Sequence, residues 1–202
     1  MRIFPSIITA AVAATAFTSY PAMADTFDGA YVGANAGWSR TEIGNGIEGI
    51  VIEAELTHEA ASFGVYAGYN YRVADSFVIG AEGGFSLEAE DKLYGELNGQ
   101  AFEIDPRYSF DVAARAGFIV GDKALIFARG GYANQRVRTS LADGTSTIRT
   151  SENLDGWSVG GGVEYAVTDH ISARTEYRYT DFGSYGDEYE RHQILVGLSY
   201  NF

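Results

Sequence analysis

Eight segments of this chain alternate large apolar residues with small or polar ones at period 2. Such alternation is the signature of a strand with two different faces. In the first, Val32, Ala34, Ala36 and Trp38 share one face, while Tyr31, Gly33, Asn35 and Gly37 share the other. The same pattern returns at 63–72, 79–87, 110–118, 126–133, 157–166, 171–179 and 194–202, and no stretch reads as a helix. Three connections are tight turns carrying Asp or Gly: Val73–Ser76, Val120–Lys123 and Thr168–His170. The other four are long, at about 41–60, 88–107, 136–155 and 180–192, so short and long alternate strictly. Even strand number with short turns at one end and long loops at the other describes an up-and-down barrel of the outer-membrane type. The expected fold is all-β: an eight-stranded antiparallel transmembrane β-barrel.

The two faces say which side meets lipid. Charged residues fall on the glycine-rich face: Glu82, Asp111, Arg115, Arg129, Glu164, Arg174, Glu176 and Arg178. The opposite face is apolar, and its large rings collect at strand ends. Trp38, Phe85, Tyr132 and Trp157 lie at the long-loop end; Tyr71, Phe118, Tyr165 and Tyr200 lie at the other. Rings with one apolar and one wet side settle at membrane interfaces, so these form two aromatic girdles. The apolar face therefore points outward, and the charges share a narrow lumen with small residues. A soluble barrel would carry these faces the other way round.

Composition agrees. A mean hydropathy of −0.09 excludes a bundle of membrane helices but suits alternating strands. The net charge of −13 argues against nucleic acid as a partner. With no Cys, disulfides, thiol catalysis and Cys-ligated zinc are excluded. Residues 1–24 read as a cleaved export signal: Arg2, an apolar run from Ile7 to Phe17, then Ala22-Met23-Ala24 as a small-x-small cleavage site. The barrel is then 25–202.

Several strings carry a resemblance. Tyr31–Ser39 resembles the first strand of the eight-stranded domain of outer-membrane protein A. Gly80–Phe85 is similar to its third strand, Ala114–Phe118 and Ile126–Gly131 to its fourth and fifth, and Gly162–Thr168 and Ile171–Tyr177 to its sixth and seventh. The chain also resembles the small opacity-type surface porins of Gram-negative bacteria. The resemblance implies a lumen charge cluster that blocks or gates a pore, with Glu82, Arg115, Glu164 and Arg174 in those positions. It also implies that the aromatic end, Tyr200 and Phe202, is read by the barrel assembly machinery. Outer-membrane protein A continues into a peptidoglycan-binding domain; this sequence stops at the last strand, so that tethering is not expected.

Catalysis is not expected. His170-Ile171-Ser172 has the spacing of a lipid A deacylase, but by parity both residues face the lumen beside a short turn, away from the outer surface. No nucleotide, phosphate or metal motif appears, and no cofactor is expected. The loop acids, among them Glu42, Glu88 and Glu190, read as solvation, with cation bridging to lipopolysaccharide or a host ligand as the sharper alternative. The expected function is a monomeric outer-membrane barrel with a structural and surface-interaction role. Its partners are outer-membrane lipid, lipopolysaccharide and the assembly machinery. A small gated porin for ions or small solutes is the alternative, and a lipid A-modifying enzyme a distant third.

Overall fold

The computed structural model describes residues 26–43, 56–88, 93–97, 100–143, 146–183 and 189–202; the expected export signal, 1–24, lies outside them. Among the described residues there are nine strands: β1 (Gly29–Ile43), β2 (Leu56–Ala74), β3 (Phe77–Glu88), β4 (Leu93–Leu97), β5 (Gln100–Val120), β6 (Ala124–Asp143), β7 (Ser146–Ala166), β8 (Ile171–Asp181) and β9 (Tyr189–Asn201). Every pairing is antiparallel. β1 pairs with both β2 and β9, and β3 pairs with β5, so eight strands close into a barrel. Closure satisfies the backbone donors and acceptors that a hydrocarbon layer cannot. The shortest barrel strand, β8, has 11 residues, enough to cross when tilted.

The strands run further than the sequence pattern predicts. β6 and β7 stay in register from Ala124↔Tyr165 to Asp143↔Ser146, so most of the expected 136–155 loop is a paired hairpin. β5 starts at Gln100 and pairs with the short additional strand β4 inside the expected 88–107 loop. The reason is chemical. Segment 137–150 is rich in Val, Thr, Ser and Ile, which pair well in strands whether or not one face is apolar. Without a lipid face these strands lose the alternation that reveals the others. Pro106 has no N–H for the ladder, and the β5–β6 register shifts between Pro106 and Tyr108.

The short turns fall where expected. Gly121 takes a positive φ of 62° in the β5–β6 turn, a conformation that favours glycine. No helix among the described residues is long and apolar enough to cross a membrane; the chain crosses with strands.

Burial is inverted relative to a water-soluble protein. Val163 and Leu198 are 45% and 61% exposed on the outside, whereas Glu82, Glu164 and Glu176 inside are 2% or less. All eight named girdle rings lie on the exposed face. Neighbouring rings touch along the long-connection end: Phe110 with Tyr132 at 6.2 Å and Trp157 with Tyr179 at 5.5 Å. At the short-turn end the lumen is closed by an apolar cluster of Phe27, Val78, Ile119, Leu125, Phe127 and Ala166. Phe27 belongs to the turn before β1, anchored where the Arg72 amide donates to Asp28 Oδ1 at 3.2 Å.

Placing Val163 at the lipid face sets an expectation for Val163→Arg. The folded state in lipid should lose about 2–4 kcal/mol, the cost of a cation near the bilayer midplane. Urea unfolding in vesicles checks this; a loss below about 0.5 kcal/mol would reverse the assignment of the faces.

Candidate functional site: the charged lumen

Inward parity delivers four acids and four arginines into one space. Glu82 comes from β3, Asp111 and Arg115 from β5, and Arg129 from β6. Glu164 comes from β7, and Arg174, Glu176 and Arg178 from β8. All eight are buried. An eight-stranded barrel encloses little more than its own side chains, so these charges must neutralise one another.

Glu82 is the hub. Its Oε2 accepts from Arg174 Nη1 at 2.6 Å and from the Tyr31 hydroxyl at 2.9 Å. Its Oε1 accepts from Arg129 Nη1 at 2.6 Å and Arg174 Nη2 at 3.1 Å. Arg115 Nη1 stands 3.9 Å away. Glu176 accepts from Arg174 Nη2 at 2.9 Å and from Arg178 Nε at 2.8 Å. Asp111 accepts from Arg178 Nη1 at 2.9 Å and also from Arg129. Glu164 takes Arg115 and the Ser172 hydroxyl, the latter at 2.5 Å.

Register alone does not give these partners. Arg174 sits beside Glu164 in the β7–β8 ladder, yet it reaches across the lumen to Glu82. Arg115 and Arg129 are direct cross-strand neighbours, a like-charge pairing that is unfavourable in isolation. It holds because Glu164, Glu82 and Asp111 divide the two guanidiniums among them. Aromatic faces complete the packing. Arg174 lies 3.8 Å from the Tyr66 ring centroid and Arg115 lies 4.0 Å from that of Phe127, which adds cation–π attraction. Tyr31 and Tyr66 can lie across the lumen because their neighbours are glycines: a Cβ at Gly68 would overlap the Tyr31 ring, and one at Gly33 the Tyr66 ring.

A second polar layer closes the long-connection end, and sequence reasoning missed it. Arg191 is 3% exposed. Its Nη1 donates to Glu88 Oε1 at 3.1 Å and to Gln135 Oε1 at 3.3 Å, and its guanidinium lies 5.1 Å from the Phe182 ring. Glu88, expected among solvated loop acids, therefore belongs to the barrel mouth. Both residues could have been found by carrying inward parity two steps further, from Ser86 to Glu88 and from Gln193 to Arg191.

Ser172 is fully buried and committed to Glu164, whereas His170 is exposed at the turn, 5.7 Å from Tyr200 in a stacked contact. The expectation that parity turns His170 into the lumen is thus corrected: it precedes β8, where parity no longer applies. At the C-terminus, Tyr200 and Phe202 are exposed outward, with ring centroids 5.2 Å apart.

Residues 9–202 match the family described as outer membrane protein beta-barrel domain. The 31 kDa outer-membrane immunogenic protein of Brucella melitensis is 29% identical over 96% of this chain and 94% of its own length. The 25 kDa outer-membrane immunogenic protein of Brucella ovis is 31% identical over 69% of this chain and 75% of its own. Among solved structures, Neisserial surface protein A superposes with a TM-score of 0.53 at 19% identity, covering 87% of this chain and 98% of that one.

The hub position of Glu82 sets an expectation. Arg174→Ala strands Glu82 and Glu176 and should cost about 3–5 kcal/mol of unfolding free energy in lipid. Adding Glu82→Ala should return part of that loss, since partners in one network are non-additive. Unfolding of both single variants and the double variant in lipid provides the check; additive losses would mean the two residues do not interact.

Proposed function

The chain belongs to the outer membrane protein β-barrel domain family and is an integral outer-membrane protein, and from that premise we propose that it is a sealed barrel with a structural and surface-display role rather than an open channel. The observation that supports this is the internal neutralisation of all eight mid-lumen charges, with a further closure above and below them. Phe27 and its apolar neighbours fill one end; Arg191, Glu88 and Gln135 fill the other. A hydrated ion entering this lumen would have to break several charge-assisted hydrogen bonds at once.

In this reading the short turns, the start of β1 and the end of β9 face the periplasm, and the long connections face outward. Residues 1–24 act as the cleaved export signal. Tyr200 and Phe202 serve recognition by the assembly machinery, and the barrel works as a monomer among lipid and lipopolysaccharide. The Brucella relatives are named immunogenic outer-membrane proteins, which supports surface display and a host or surface ligand at the connections. A catalytic role is disfavoured by the separation of Ser172, buried against Glu164, from the exposed His170.

One observation favours the gated-porin reading. The Nε atoms of Arg115 and Arg129 have no protein acceptor among the described residues, so both guanidiniums keep a spare donor with which to re-pair. Planar-bilayer recording separates the two readings. A sealed barrel gives current at background both as wild type and as Arg174→Ala. A gate gives unitary steps that become larger or more frequent in Arg174→Ala, and that result would replace the proposal.

A further inference from the structure

On the outer face, the first and last strands of the barrel bring three metal-ligating side chains together. Glu42 on β1 pairs with Glu190 on β9, and His192 sits two residues along on the same face. One ligand atom from each of Glu42, Glu190 and His192 lies within 4.8 Å of the others, and all three residues are half-buried. His192 pairs with Arg40, two residues beyond the girdle residue Trp38, or about 7 Å along the strand. The trio therefore sits in the headgroup layer, at the seam where the barrel closes.

Two of the three also have a polar neighbour. The Tyr177 hydroxyl is 2.7 Å from His192 Nδ1. Arg40 Nε is 2.9 Å from Glu42 Oε1. A metal-binding imidazole is usually oriented in this way through its other ring nitrogen. In the tautomer whose Nδ1–H donates to Tyr177, Nε2 presents its lone pair. With Oε1 of Glu42 held by Arg40, Oε2 remains. One imidazole nitrogen and two carboxylate oxygens suit a borderline ion better than calcium or magnesium, which take all-oxygen sets. Three protein ligands with a fourth position left to solvent is a common zinc arrangement. From within 4.8 Å of one another, the ligand atoms need to close by up to about 1.5 Å to reach the spacing of tetrahedral ligands around one zinc.

We propose that Glu42, Glu190 and His192 form a zinc-type divalent metal site that clamps β1 to β9 at the external rim. Bound metal ties the two ends of the chain together and stabilises the closed barrel, since an ion that binds only the folded state raises its stability. Arg40 opposes this: its guanidinium competes with the metal for Glu42. Removing Arg40 should therefore tighten the site, which a merely structural role for these residues would not produce.

The test uses the barrel refolded in detergent micelles, with Zn²⁺ affinity and stoichiometry from chelator competition and thermal unfolding with Zn²⁺ or EDTA. Wild type should bind one zinc and unfold at a higher temperature with it. His192→Ala should weaken binding at least about 100-fold, and Tyr177→Phe by about 10–100-fold, as for an outer partner. Arg40→Ala should strengthen binding. A His58→Asn, His170→Asn double variant should behave as wild type. Glu190→Gln, which keeps size and shape, serves if His192→Ala does not fold, and it should lose affinity likewise. No one-to-one binding, affinity unchanged in Glu190→Gln and His192→Ala, or loss of binding in the His58, His170 double variant would each overturn the proposal.

Discussion

The structure depends on neutralising eight buried charges in a space too small to hydrate them. Removing one member of a buried pair costs about 3–5 kcal/mol, so the four acids and four arginines must be positioned together. Their placement explains neighbouring features that otherwise look unrelated. Glycines at 33 and 68 admit the Tyr66 and Tyr31 rings, and those rings carry hydrogen bonds and cation–π contacts to Glu82, Arg115 and Arg174. The small residues on the inward face are the space that the long charged side chains occupy. The same constraint bears on function, because the proposal of a sealed barrel rests on this filling of the lumen by ion pairs.

The outer face contributes differently. Val163, Leu198 and Ile194 are exposed among the described residues, and their stabilisation comes from lipid rather than from a protein core. The closed hydrogen-bond ladder satisfies the backbone within the hydrocarbon layer, and large exposed rings such as Trp38, Trp157 and Tyr200 stand at the strand ends. The apolar core proper is small and lies at one end, around Leu125 and Phe127. Phe27 reaches it from outside the ladder, so the segment before β1 helps seal the barrel as well as entering it.

Parity made the fold and the membership of the lumen legible. Once Val163 and Tyr165 are assigned outward, Glu164 must point inward, and the same step yields Arg174, Glu176 and Arg178. Pairing was not legible: Arg174 bonds Glu82, 92 positions away in sequence, rather than its ladder neighbour Glu164. Barrel curvature decides that, and period 2 carries no information about it. Strand ends were misread for a related reason. Beyond the membrane both faces of a strand meet water, so β6 and β7 continue without the alternation that marks them elsewhere. Arg191 and Glu88 lie in the corresponding ends of β9 and β3, beyond the alternating stretches. His170 was assigned to the lumen by extending parity into a turn, where it has no meaning.

The central claim is that the lumen arginines are locked in ion pairs shielded from water. Nitrogen-15 NMR of arginine side chains, with the protein in lipid nanodiscs, tests it directly. Arg115, Arg129, Arg174 and Arg178 should give separate guanidinium signals with resolved, slowly exchanging Nη–H protons, while Arg40, whose side chain is 52% exposed, serves as the internal reference for fast exchange. If the four lumen arginines exchange with water as fast as Arg40, the lumen is hydrated and the account of a sealed barrel is wrong.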